Sequence, residues 1–128
     1  MANSRKCTPE MRAGRLIKAK QFLTAAEMIA TNLEDAELAD AFVTLCVHAG
    51  IAASDVICCA KLGIHHQGGN HILAVSLLEK IDKANAIHLK TLLDMKGHAG
   101  YSSIPTSAAY QERAKLAAQA LLNQAQLV

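Results

Sequence analysis

Residues 41–63 read AFVTLCVHAGIAASDVICCAKLG, and the reading of this stretch decides the fold. Leu38, Phe42, Leu45, Ala49, Ala52, Val56 and Cys59 recur in alternating steps of four and three, the spacing of one helix face. Val43, Val47, Ile51 and Cys58 add a second apolar flank. A helix apolar over so wide an arc has to be surrounded by others, so the pattern predicts a central helix. Glu34, Asp35 and Glu37 suit its positive end, and Gly63 suits its end. Its longest run free of Asp, Glu, Lys and Arg, residues 41–54, contains His48 and falls short of the ~20 apolar residues of a membrane span. The expectation is a core helix and no membrane partner.

Outward from this segment the helical period continues. Thr8, Pro9 and Glu10 form a helix start: the hydroxyl accepts from a free amide, proline lacks the amide that would go unpaired, and the carboxylate favours the positive end of the dipole. Leu16, Phe22, Leu23, Ala26 and Ile29 give this helix its inner face, Arg12, Arg15 and Lys18 are assigned to solvent, and the helix ends near Thr31 or Asn32. Residues 63–69 read as a loop, Asn70 caps a third helix carrying Ile72, Val75, Leu77 and Leu78, and a break falls within residues 81–85. Leu89, Leu92, Leu93 and Ala99 mark the next helix, to about Gly100. After an extended connection ending at Pro105, Thr106 or Ser107 caps a last helix buried through Tyr110, Ala114, Ala117, Leu121 and Ala125. No stretch alternates like a half-buried strand, so sheets are not expected. The fold class is all-α, an up-and-down bundle of four to five helices in one domain, residues 1–128, with residues 1–7 as a disordered tail.

Composition narrows the function classes. Of 128 residues 52% are hydrophobic and only 3% aromatic, which describes a core of small aliphatic side chains. Thirteen Lys and Arg against eleven Asp and Glu leave +2, too little for a dedicated basic nucleic-acid module. The charge is uneven: residues 1–20 hold six bases and one acid, whereas residues 21–60 hold six acids and no Lys or Arg. No apolar run follows the basic N-terminal residues, so no export signal is expected. The four cysteines make no C-x-x-C pair, and three of them lie in apolar helical pattern, where free Cys acts as a small hydrophobe. A cytoplasmic location follows as the expectation. Cys58 and Cys59 with His65 and His66 make a poor metal set, since adjacent helical residues diverge by about 100°, and no metal or cofactor is expected.

Two anomalies on apolar faces are the candidate functional residues. Thr44, His48 and Asp55 lie along one line of the central helix, which makes either a polar site facing another helix or a set of internally satisfied groups. Lys96 follows Leu89, Leu92 and Leu93 at spacings of seven, four and three, so its stem shares their apolar face. Either a carboxylate meets it, with Asp55 the candidate, or it snorkels to water. Gly68, Gly69 and His71 lie at a helix start, where backbone amides can face an anion, although the lysine and the preceding strand of a P-loop are missing. The remaining loop histidines are assigned to solvent.

From residue 33 to residue 122 the chain resembles the higher eukaryotes and prokaryotes nucleotide-binding (HEPN) domains. The segments that carry the likeness are the central helix, GGNHILAVSLL (68–78), LLDMKGHAGY (92–101) and SAAYQERAKLAAQALL (107–122). The resemblance implies a small helical bundle, a homodimer, and a partner that is a nucleotide, RNA or another protein. Active ribonucleases of that family carry Arg followed four to six residues later by His; no Arg here has such a His, and Lys96, His98 and Tyr101 stand at the matching place. Lysine does not reproduce the planar fork of arginine on a phosphate. The resemblance therefore implies a binding module using Lys96, Tyr101, Asp55, His48 and His71. The alternatives are a divergent endoribonuclease of a toxin or defence system, working through Lys96, His98 and Tyr101, and a purely structural interaction protein.

Overall fold

The computed structural model describes residues 4–32 and 37–128. Its elements are β1 (Ser4–Lys6), α1 (Pro9–Asn32), α2 (Ala39–Leu62), β2 (Ile64–His66), α3 (His71–Glu79), α4 (Lys83–Tyr101) and α5 (Ala108–Leu127). The architecture is all-α, a helical bundle with one small two-stranded sheet. Local chemistry sets the ends. Thr8 Oγ1 accepts from the Met11 amide at 3.1 Å, Asn70 Oδ1 from Leu73 at 3.2 Å, Asp82 Oδ1 from Asn85 at 3.0 Å and Ser107 Oγ from Tyr110 at 3.2 Å, each satisfying an amide that the first helical turn leaves free. Gly63, at φ 71°, closes α2 in the left-handed conformation, its amide donating to the Cys59 carbonyl.

Helix α2 is the axis of the bundle and packs against α1, α3, α4, α5 and β2. Its Val43, Cys46, Val47, Val56 and Ile57 meet Leu77 and Leu78 of α3, Leu89 and Leu92 of α4 and Leu121 of α5 in one core. Among the described residues it alone has the length and apolarity of a membrane span, and most of it is buried inside the bundle. The closest approach falls at Gly50, where a Cβ would run into Leu92 Cδ1, with Leu121 Cδ1 next at 3.3 Å. The absent side chain is what lets α4 and α5 seat on α2. At its start, Asp40 Oδ1 accepts from the Thr106 amide at 3.0 Å and ties the α4–α5 connection to the core.

Four expectations are corrected. Residues 4–7 are not a tail: Ser4, Arg5 and Lys6 pair antiparallel with His66, His65 and Ile64, and the Cys7 amide donates to the Gly63 carbonyl at 3.0 Å. The same pairing places a strand within the stretch read as loop. Cys59 is not a free core thiol, because it is disulfide-bonded to Cys7, while Cys46 and Cys58 are free and buried. Leu38 falls outside the buried face at 48% exposure, since it is the residue preceding the helix and not part of its first turn. The acidic residues Glu34 and Asp35, assigned to the start of α2, lie outside the described residues.

Candidate functional site

The cleft that gathers the polar anomalies lies between α2 and α4 and is closed by β2 and the start of α3. Its volume is about 250 Å³. On α2, His48, Ile51, Asp55 and Cys58 follow steps of three and four, and on α4, Leu89, Leu93 and Lys96 do the same, so each helix presents one stripe to the cleft. Ile51, Leu89, Leu93 and Ala74 give it apolar walls; His48, Asp55, His66, His71 and Lys96, with the Gly68–Gly69 backbone, bring the polar groups. A mostly apolar recess with a few convergent polar groups is the usual form of a small-ligand site.

Asp55 does not pair with Lys96. Its Oδ2 accepts from Arg15 Nε at 2.8 Å, and His65 Nδ1 stands 3.8 Å from its Oδ1. Arg15, assigned to solvent from its helical position, instead reaches from α1 across to α2, its side chain 30% exposed and that of Asp55 14%. Burial pushes the Asp55 carboxyl above its ordinary range, against the opposing pull of Arg15, His65 and His66. Lys96 has no ion-pair partner among the described residues, so its charge is available to the cleft. That charge is felt by His48, which burial and then the Lys96 and Arg15 cations hold below its ordinary 6.5. His48 also packs on Phe22 of α1, with ring centroids 5.6 Å apart.

The histidines of β2 are half-buried, which corrects their assignment to solvent. Pairing with β1 turns His66 into the cleft lining, where its Nε2 is buried without a hydrogen-bond partner; the Nε2 of His65 is likewise unpaired, while its Nδ1 lies 3.0 Å from the His66 carbonyl oxygen. A buried polar atom without a partner costs about 1–3 kcal/mol. His71 is the first residue of α3, so the cleft also borders a helix end rich in free amides.

Of the sequence-derived candidates, His48, Asp55, His71 and Lys96 therefore surround one cleft, and His98 and Tyr101 do not line it. Tyr101 is 88% exposed at the end of α4, and His98 packs tilted against Tyr110 of α5, with ring centroids 5.5 Å apart. The residues beside the cleft that the sequence reading assigned to solvent are Arg15 and His66. No local signal marks either: the docking of α1 on α2 brings Arg15 to Asp55, and pairing with β1 buries His66.

The chemistry open to this arrangement is recognition of negative charge. The Cys58 thiol in the cleft is pushed up to about 12 by burial and by Asp55, against a hydrogen bond from Ser54, so it is not a nucleophile at neutral pH. Asp55 is held by Arg15 and is not an unencumbered base. No group of three or more His, Cys, Asp or Glu among the described residues is placed to hold a metal ion. Comparison of the chain with family models, with curated proteins and with solved structures finds no match.

Proposed function

We propose that the chain is a non-catalytic, HEPN-like helical module that binds the phosphate of a nucleotide in the α2–α4 cleft. The observation that carries the reading is the Lys96 cation, without an ion-pair partner among the described residues, in a recess also lined by His66 and His71. Lys96 supplies the fixed charge, His66 and His71 supply ring donors, and the amides near Gly69 add the positive end of α3. The apolar walls offer a seat for a flat ring beside the phosphate, and a volume of about 250 Å³ suits a mononucleotide part better than a length of polymer. Asp55 is neutralised by Arg15 and does not repel the anion. The homodimer belongs to the same proposal.

Calorimetric titration of the protein with ADP tests it. Binding is expected, with Lys96→Gln weakening it at least about tenfold, the loss of one charge-assisted hydrogen bond. Lys90→Gln is the control, because Lys90 pairs on the exposed side of α4 with Asp94 at 2.7 Å. Equal affinity for the two variants would reject the cleft. Incubation with labelled RNA separates the alternatives: cleavage that depends on Lys96 would establish the nuclease instead, and absence of both binding and cleavage would leave a structural protein.

A further inference from the structure

We propose that the Cys7–Cys59 disulfide is a thiol-exchange site that controls the cleft, opened by a small anionic thiol of the glutathione class. The control of ligand binding rests on the reading of the cleft given above; the opening of the strand does not.

The covalent link is placed where it holds the cleft wall. Cys7 follows β1 directly, and Cys59 lies one residue after Cys58, whose side chain lines the cleft. The bond joins residues 52 apart in sequence and fixes a three-residue strand against the end of α2. Two short strands are not stable by themselves in water. Besides the disulfide, the pairing with Ile64–His66 and the Cys7 amide on the Gly63 carbonyl link β1 to β2 and the end of α2. Those are the residues that position His65 beside Asp55 and His66 in the cleft. With the bond open, release of β1 leaves the β2 backbone unpaired and frees both histidines to turn away.

The bond is also reachable. Cys7 and Cys59 line a shallow cavity of about 160 Å³ with Thr8, Pro9 and Arg12. Cys7 is half-exposed and Cys59 is buried, so an incoming thiolate meets Cys7 Sγ first. Its attack forms a mixed disulfide on Cys7, breaks the Sγ–Sγ bond and releases Cys59 as thiolate, which takes up a proton. A second thiolate then attacks the mixed disulfide, leaving Cys7 as a thiol and the two small thiols joined as a disulfide. Two small thiols are oxidised and the protein disulfide is reduced to two thiols. Arg12, on the exposed face of α1 at this cavity, favours an anionic reagent over a cationic one. The buried thiols of Cys46 and Cys58 are both pushed up to about 12 and do not compete in exchange.

Two measurements on the full chain test the proposal. Hydrogen exchange of the oxidised and the glutathione-reduced protein is expected to show lost protection at residues 4–7 and 64–66 on reduction, with α2, α4 and α5 still protected. Unchanged protection in β2 overturns the switch. Titration with ADP is expected to give about tenfold weaker binding to the reduced protein and to Cys7→Ser, the effect of losing one positioned donor. If the oxidised protein binds no ADP, the cleft reading fails and control of binding fails with it, while the exchange data still decide whether the strand opens. If both forms bind equally, the cleft reading stands and the switch is overturned. In Arg12→Glu the rate of opening by glutathione is expected to fall about three- to tenfold, while that by cationic cysteamine holds or rises. An equal change for both reagents removes Arg12 from the exchange site.

Discussion

Arg15→Met is the most informative single substitution outside the cleft lining, because it removes one partner of the Arg15–Asp55 pair and keeps the aliphatic stem. The bond is short, 2.8 Å, and the Asp55 side chain is only 14% exposed. An exposed pair contributes about 0–1 kcal/mol, whereas stranding a fully buried charge costs about 3–5 kcal/mol. With the Arg15 side chain 30% exposed, the loss belongs between these limits, about 2 kcal/mol. For 128 residues the entropy of unfolding is about 270 cal/mol/K, so the melting temperature should fall by about 7 °C. Its pH dependence gives a second readout. The ion pair contributes only while Asp55 is ionised, and burial already raises that carboxyl above its ordinary range. The deficit of the variant is therefore largest where Asp55 is ionised in both proteins and shrinks as pH falls through its folded values, the higher of which belongs to the variant, where the lowering pull of Arg15 is gone. Adding Asp55→Leu, which leaves no stranded charge, should restore most of the loss. Differential scanning calorimetry across pH measures all three effects. A variant melting within about 1 °C of the parent at neutral pH, as an energetically silent surface pair would, refutes the reasoning.

Other perturbations follow from the packing. Gly50→Ala forces a methyl group against Leu92 and Leu121 and should cost about 1–3 kcal/mol, despite alanine's better helix propensity, read as a lower denaturant midpoint. Asn70→Ala removes the acceptor of the Leu73 amide and should cost about 1 kcal/mol, with faster hydrogen exchange confined to the first turn of α3. His48 binds its proton less readily when folded than when unfolded, so it withdraws stability as pH falls from 6.5 toward its lowered folded value. His48→Gln should flatten urea-unfolding stability across that window, and an unchanged slope would remove His48 as its source.

The helices were legible because their signals are local and repeated. Thr8–Pro9, Asn70, Ser107 and Gly63 end helices by chemistry within a few residues, and the α2 face repeats over more than five turns. Lys96 and Asp55 stood out for the same reason: a helical period makes a charge on an apolar stripe conspicuous. Which charge meets Asp55 depends on how α1 docks across α2, and no spacing encodes that angle. The strands β1 and β2 have three residues each, too few to display an alternation. Their pairing joins residues about 60 apart, as does the Cys7–Cys59 bond within 52, and both rest on closure of the whole bundle. His66 was misassigned on the same account, because its burial comes from β1 and not from its neighbours in sequence.

The central claim, that an anion enters the cleft beside Lys96, is tested most directly by following the six histidine ring resonances of the oxidised protein during titration with ADP. The account predicts saturable shifts at His48, His66 and His71, small ones at His88 and His98, and loss of all of them in Lys96→Gln. Shifts that spread evenly over the six rings, or that persist unchanged in Lys96→Gln, would contradict it.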